Sequence, residues 1–221
     1  MREAGVLMPV SALPSRVGAG ELGESAFHFI ELLKKNHVRI WQILPLNPVG
    51  YGNSPYQPYS SCAGDDIYIS LDTLAEEGLL KKSPMLFLEK CKKVDYERVR
   101  QYREPYLRAA FMAFVEQKGY EKPEYKEFAA QSWVYEYGVF RALKKANNGA
   151  CWNEWPEEDR TWPENRHVLD TEAEAEARYQ MFLQYIFYTQ WMKVKKAANE
   201  AGIQIMGDVP FYVGQDSVDV W

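Results

Sequence analysis

Between Pro45 and Ser61 the chain reads Pro-Leu-Asn-Pro-Val-Gly-Tyr-Gly-Asn-Ser-Pro-Tyr-Gln-Pro-Tyr-Ser-Ser, so Tyr51, Tyr56 and Tyr59 alternate with turn formers and with hydroxyl and amide groups. A pyranose ring offers an apolar C–H face to an aromatic ring and a fringe of hydroxyls to Ser, Asn and Gln, so this mixture can hold a sugar. The same residues also suit a rigid loop with packed tyrosines, and composition leaves both readings open. Asp208 is the second candidate. It closes the apolar run Ile203-Gln-Ile-Met-Gly-Asp208, and a carboxylate at such a strand end lies on the face where parallel barrels build their sites. The alternative is an Asp that caps the following helix or turn, a role that Asp216 before Ser217 could equally fill. Trp152, Trp155 and Trp162, interleaved with Pro156 and Pro163, offer either an aromatic sugar platform or the core of a loop-rich segment, and large aromatics more often form core.

Other chemistries find no matching pattern. Gly18, Gly20 and Gly23 do not form Gly-x-Gly-x-x-Gly after a strand, which argues against a dinucleotide cradle. Cys62, Cys91 and Cys151 are far apart, as are His28, His37 and His167, so neither a disulfide framework nor a zinc site is indicated. With no activated serine or phosphate loop either, no cofactor is expected. The net charge of -5, without clustered Lys and Arg, argues against nucleic acid as a partner. No apolar run approaches the ~20 residues that cross a bilayer, and Met1-Arg-Glu-Ala-Gly5 leads straight into strand-like sequence. A cytoplasmic protein with reduced cysteines is the expectation.

The elements that must position these residues follow from periodicity. Gly5–Pro9, Ile40–Pro45 and Ile203–Asp208 are short apolar runs ending in Pro, Gly or Asp, as barrel strands do where they deliver loops to one face. Ala26, Phe29, Ile30 and Leu33 recur at helical spacing, with Lys34 and Lys35 in the last turn where the helix dipole favours cations. Tyr179, Phe182, Leu183, Ile186, Val194, Ala198 and Ala201 mark a long helix that Gly202 caps, with Glu172–Ala177 as its acidic start. Helical patterns also run from Pro105 to Lys118 and from Pro123 to Ala146. The domain reading is 1–73 for two barrel strands and the tyrosine loop, 74–170 for a mainly helical insertion, and 171–221 for the long helix, third strand and following loop. The fold class is α/β, an incomplete (β/α)8 barrel. A closed barrel needs eight strands in about 250 residues, whereas three are legible in these 221 before the chain ends at Trp221 with an open sheet edge.

Taken in order, these motifs resemble the 4-α-glucanotransferases, the amylomaltase or disproportionating-enzyme family. The likeness lies in Gly5-Val-Leu-Met-Pro-Val-Ser-Ala-Leu-Pro-Ser15 with Gly18-Ala-Gly-Glu-Leu-Gly23, and in Trp41-Gln-Ile-Leu-Pro-Leu46 through Ser54-Pro-Tyr-Gln57 and Ala63-Gly64. Trp152-Asn-Glu-Trp-Pro156, Gly207-Asp-Val-Pro210 and Asp216-Ser-Val-Asp-Val-Trp221 complete it. Gln57–Cys62 and Asp65-Asp66 depart from the usual pattern, the latter standing where Asn-Pro is common.

The resemblance implies α-1,4-glucans such as maltooligosaccharides as substrates, with Ser54 and Tyr56 near the scissile bond, Tyr51 at a more remote glucan site and Asp208 as an auxiliary carboxylate. It places the nucleophilic Asp, the Glu acid/base and a stabilising Asp beyond the third strand. Retaining transfer needs two carboxyl groups about 5 to 5.5 Å apart, which Asp208 cannot supply by itself. The chain alone is therefore expected to be inactive and to self-associate through its open barrel edges. A non-catalytic glucan-binding module and one half of a split enzyme are the rival readings.

Overall fold

The computed structural model describes residues 3–81 and 93–221. Three short strands, β1 (Gly5–Leu7), β2 (Ile40–Gln42) and β3 (Gln204–Met206), form a parallel sheet in the order β1-β2-β3. Each is shorter than its apolar run. Pairing continues by one more bond on each side, Met8 N to Gln42 O and Ile43 N to Met206 O, both 2.9 Å. Pro9 and Pro45 then end it, because proline has no N–H to donate.

The described helices are α1 (Glu24–Lys35), α2 (Leu71–Glu76), α3 (Tyr96–Glu116), α4 (Pro123–Ala129), α5 (Ser132–Ala146), the single turns α6 (Glu157–Arg160) and α7 (Trp162–Asn165), and α8 (Thr171–Glu200). α1 ends at a left-handed His37, whose N–H reaches Lys34 O while Val38 N reaches Leu33 O, so this histidine is a helix terminator. α8 runs 30 residues. Asp170 Oδ1 accepts from Ala173 N at its start, and Gly202, at φ 75°, closes its end as expected.

Two helix boundaries differ from the sequence reading. α3 starts at Tyr96, nine residues before Pro105, which lies exposed inside the helix. Its buried stripe Val99-Arg103-Leu107-Ala110-Phe114 contains a charged residue, which broke the apolar periodicity. The Pro123–Ala146 pattern is two helices, because Gln131 adopts an extended conformation (φ -71°, ψ 127°) between α4 and α5.

The chain divides into two compact units. The first comprises Met1–Leu46, Asp65–Glu116 and Ile186–Val209, and the second comprises Asn47–Gly64, Gln117–Tyr185 and Pro210–Trp221, so the boundary falls within α8. In the first, the register places Val6, Trp41 and Ile205 in one row and Leu7, Gln42 and Met206 in the next. Successive rows face opposite sides of the sheet. Trp41 is fully buried, its ring edge-on to Phe29 of α1 and its Nε1 donating to Met8 O at 2.8 Å. On the other face Leu7 is 53% exposed and Met206 48%. Parallel sheets are ordinarily covered on both faces, so this sheet shows water a surface that a closed barrel would bury. In the second unit, Val139, Phe140, Leu143, Trp155, Trp162 and Ala177 form the core.

Candidate functional site

The tyrosine loop, residues 47–64, lies within the second unit. Its base is fastened by an antiparallel bridge between Val49 and Pro58, by Gly50 N to Gln57 O at 3.3 Å and by Tyr59 N to Pro48 O at 2.8 Å. Asn47 Nδ2 adds 3.0 Å bonds to Ser61 O and Ala63 O. Between these braces the tip turns through a 3₁₀ turn, Tyr51–Asn53, in which Gly52 and Asn53 have φ of 76° and 53°. Both residue types tolerate that left-handed backbone, which explains the Gly-Asn pair. Ser54 follows, half-buried, with its Oγ accepting from Tyr56 N at 3.4 Å. Tyr56 is 40% exposed. A partly exposed aromatic ring near a hydroxyl on a braced loop is an arrangement that can hold a pyranose.

The braces extend to more distant segments. Ser61 donates its N–H and Oγ–H to the Asp219 carboxylate at 2.7 and 2.8 Å, and Val218 N donates to Tyr59 O at 2.9 Å. Gln184 of α8 uses both ends of its amide on Gly64: Nε2 donates to Gly64 O at 2.9 Å and Oε1 accepts from Gly64 N at 2.8 Å. Lys144 of α5 donates to Asp216 Oδ2 at 2.5 Å and to Ala150 O at 3.1 Å.

The tryptophans are resolved in favour of core. Trp155 and Trp162 are each 3% exposed, donate to Ala150 O and His167 O, and pack against Trp221, with Trp162 stacked on it at 5.7 Å. Neither ring offers a face to a sugar. Trp152 is half-buried and donates to Gln215 O at 2.7 Å.

Asp208 lies in the first unit, two residues past β3, and is half-buried; its Oδ1 accepts from Val209 N at 2.9 Å. Tyr51, Ser54 and Tyr56 thus share one loop of the second unit, whereas Asp208 belongs to the first. Asp216 does not cap a helix: its carboxylate receives the Lys144 ammonium.

The first unit holds segment 65–72 with charge. Asp65 accepts from Arg100 Nη2 at 2.7 Å and Asp66 from Arg100 Nη1 at 2.7 Å, so two adjacent acidic residues are matched by one guanidinium. Burial pushes the Asp65 carboxyl up, but Arg100 and the Ile67 N–H more than offset this and hold it below the usual carboxylate range. Glu21 is the opposite case: desolvation raises its pKa even though Arg103 Nη1 lies 2.9 Å away. Gln190 of α8 clamps Ser70 as Gln184 clamps Gly64, with bonds of 2.6 and 3.2 Å. A cleft of about 460 Å³ in this unit is lined by Arg16, Glu21, Glu24, His28, Phe29 and Asp72 among others. Several of its polar groups already have partners: Arg16 pairs with Asp72, Glu21 with Arg103, and Ser70 Oγ caps Thr73 N.

Lys144, Gln184 and Gln190 went unread in the sequence. The available signal was a polar residue at a helix position whose periodicity demands burial. Among the described residues, no group of three or more His, Cys, Asp or Glu side chains could hold a metal ion, and no helix is long and apolar enough to cross a membrane. Cys62 is exposed and Cys151 half-buried; Cys91 lies outside the described residues.

The profile of a family described as 4-alpha-glucanotransferase matches residues 8–221. The chain is 41% identical over 236 residues to the 4-alpha-glucanotransferase of Synechocystis sp., covering 100% of this chain and 45% of that protein. It is 38% identical over 229 residues to that of Thermus thermophilus, covering 100% and 44%. Among solved structures, an amylomaltase from Streptococcus agalactiae in complex with acarbose superposes at a TM-score of 0.92 with 33% identity, over 100% of this chain and 46% of that one. An amylomaltase from Corynebacterium glutamicum, 17% identical at a TM-score of 0.67, shares the fold. The chain thus spans somewhat under half the length of these curated relatives. Its parallel sheet belongs to an incomplete (β/α)8-type barrel, with helices inserted between β2 and β3.

Proposed function

This chain belongs to the 4-alpha-glucanotransferase family, and we propose from that premise that it recognises α-1,4-glucans through its tyrosine loop and contributes this binding to glucan transfer. The observation that carries the reading is the match along residues 8–221, and the exposed Tyr56 on its braced loop supplies a physical reason for it. Tyr56 stacks on a sugar face, Ser54 bonds its hydroxyls, Tyr51 contacts a more remote part of the glucan, and Asp208 acts as an auxiliary carboxylate. A relative in the same family was solved with acarbose bound, which supports a glucan-like ligand.

Transfer with retention requires an attacking carboxylate and a proton-donating carboxyl about 5 to 5.5 Å apart; the glycosyl-enzyme intermediate is then taken up by the 4-hydroxyl of a second glucan in place of water. Among Tyr51, Ser54, Tyr56 and Asp208 there is one carboxylate, Asp208. These 221 residues alone therefore bind without turning over. The test is a disproportionation assay on maltotriose: no new oligosaccharides are expected, and turnover by this chain overturns the proposal. Titration with maltoheptaose tests the site, with binding expected in the wild type and lost in Tyr56→Ala.

The uncovered row of Leu7 and Met206 and the open edges of the sheet suit association of this chain with itself or with the remainder of a barrel. Sedimentation velocity should show concentration-dependent association. A single monomer peak across concentrations contradicts it. The exposed thiol of Cys62 suits a reducing compartment such as the cytoplasm.

A further inference from the structure

Lys144 is a lysine where the fold wants a hydrophobe. It is 7% exposed, on the face of α5 that also buries Phe140 and Leu143. A buried ammonium is costly unless paired, and an apolar residue of similar length would fill the same space. Three chain segments meet at its Nζ. It donates to Ala150 O just past its own helix, it donates to Asp216 Oδ2, and it sits 5.1 Å from the ring centroid of Tyr59 in the tyrosine loop. Arg141, one turn earlier, places a second cation 5.5 Å from the same ring. Asp216 depends on this contact, because its Oδ1 is buried with no hydrogen-bond partner. Its neighbours complete the clasp: Val218 N bonds Tyr59 O, Asp219 receives Ser61, and Trp221 packs 5.5 Å from Phe140.

We propose that Lys144 is a positioning residue that locks the tyrosine loop to the segment Asp216–Trp221 and thereby sets glucan affinity at Ser54 and Tyr56. Its charge supplies direction that a methionine could not: one ammonium satisfies a carbonyl, a carboxylate and a π face only when all three segments are in register. The loop tip inherits that register through the braces at Pro48 and Pro58. The affinity part of the proposal rests on the glucan reading above; the clasp does not.

The experiment uses the full chain as wild type, Lys144→Met, Lys144→Arg, Asp216→Asn and the Lys144→Met/Asp216→Asn double variant. Hydrogen exchange at the Tyr59 and Val218 amides reports the clasp directly, with the α1 amides as an internal reference. Lys144→Met should speed exchange at both sites by about tenfold or more relative to α1. Lys144→Arg should restore part of the protection, and the double variant should exchange more slowly than Lys144→Met because the uncompensated carboxylate is gone. Maltoheptaose titration should show weaker binding in Lys144→Met, with recovery in Lys144→Arg. Unchanged exchange at Tyr59 and Val218 overturns the clasp, and faster exchange with unchanged glucan affinity overturns the positioning role. Should Lys144→Met fail to fold, Asp216→Asn decides, since it must shift both readouts in the same direction by a smaller amount. A wild-type chain that binds no maltoheptaose overturns the glucan reading and the affinity claim together, while exchange still judges the clasp.

Discussion

The two units hold irregular backbone with the same device and with different charges. In each, a glutamine on α8 turns a buried amide onto one residue of a loop, Gln190 onto Ser70 and Gln184 onto Gly64, satisfying a donor and an acceptor at once. Around that clamp the first unit adds arginine–carboxylate pairs, Arg100 with Asp65 and Arg103 with Glu21. The second adds an ammonium shared between a carboxylate and a ring, and a cluster of aromatic side chains. The guanidinium pairs fix segment 65–72, whereas the second arrangement leaves Tyr56 partly exposed at the tip of its loop. A loop that presents a side chain is held from its base, and a loop that serves as framework is held along its length.

The largest perturbation should fall on the first unit. Arg103 is 1% exposed, and Arg103→Met strands the Glu21 carboxylate, so chemical denaturation should show a loss of about 3–5 kcal/mol. Equal stability for this variant and wild type would break the assignment of charge as the framework of that unit. Gln184→Leu and Gln190→Leu compare the shared device directly. Each leaves a buried N–H and C=O without its amide partner, for about 2–4 kcal/mol by the same measurement. A large loss in one and none in the other would show that the two clamps are alike in geometry only.

Acid titration separates the two arginine pairs by sign. Asp65 is depressed when folded, so its stabilisation is complete above the unfolded value of about 3.9 and is lost as pH falls through the lower folded pKa. Glu21 is raised, so its contribution is present below the unfolded value of about 4.3 and is lost as pH rises through the folded pKa. Urea unfolding from pH 2.5 to 7 should therefore slope less steeply at the acid end in Arg100→Met than in wild type. Glu21→Gln should remove the opposing slope just above pH 4. The smallest effect on stability belongs to Tyr56→Ala, within about 0.5 kcal/mol of wild type, while maltoheptaose binding is lost. A large loss of stability there would make Tyr56 a packing residue and blur the contrast between the units.

Much of the framework was legible because it is written locally. The apolar runs at Gly5, Ile40 and Ile203 end at Pro, Gly or Asp, and those residues stop a ladder or turn a chain wherever they stand. The stripe from Tyr179 to Ala201 and the cap at Gly202 likewise follow from neighbours three or four positions away. The tyrosine loop was readable as a loop that could hold a sugar, since its Gly-Asn and Pro residues dictate turns and its tyrosines and hydroxyls carry the chemistry. Local pattern failed wherever a buried position carried a polar residue. The start of α3 was missed across Arg103, and Lys144, Gln184 and Gln190 drew no reading.

What the sequence determined by itself is therefore the three strands, the first and last helices and the residue types offered for binding, because each depends on short-range backbone preference and on hydrophobic periodicity. The tertiary structure decided which polar side chains are buried and what they hold: Arg103 on Glu21, Gln184 on Gly64, Lys144 on Asp216 and Tyr59. It also decided that Trp155 and Trp162 are core. The reason is physical. A buried polar group is tolerated only by a partner that satisfies it, these partners lie as far as 120 residues away in the chain, and nothing in local spacing records where the fold will bring them.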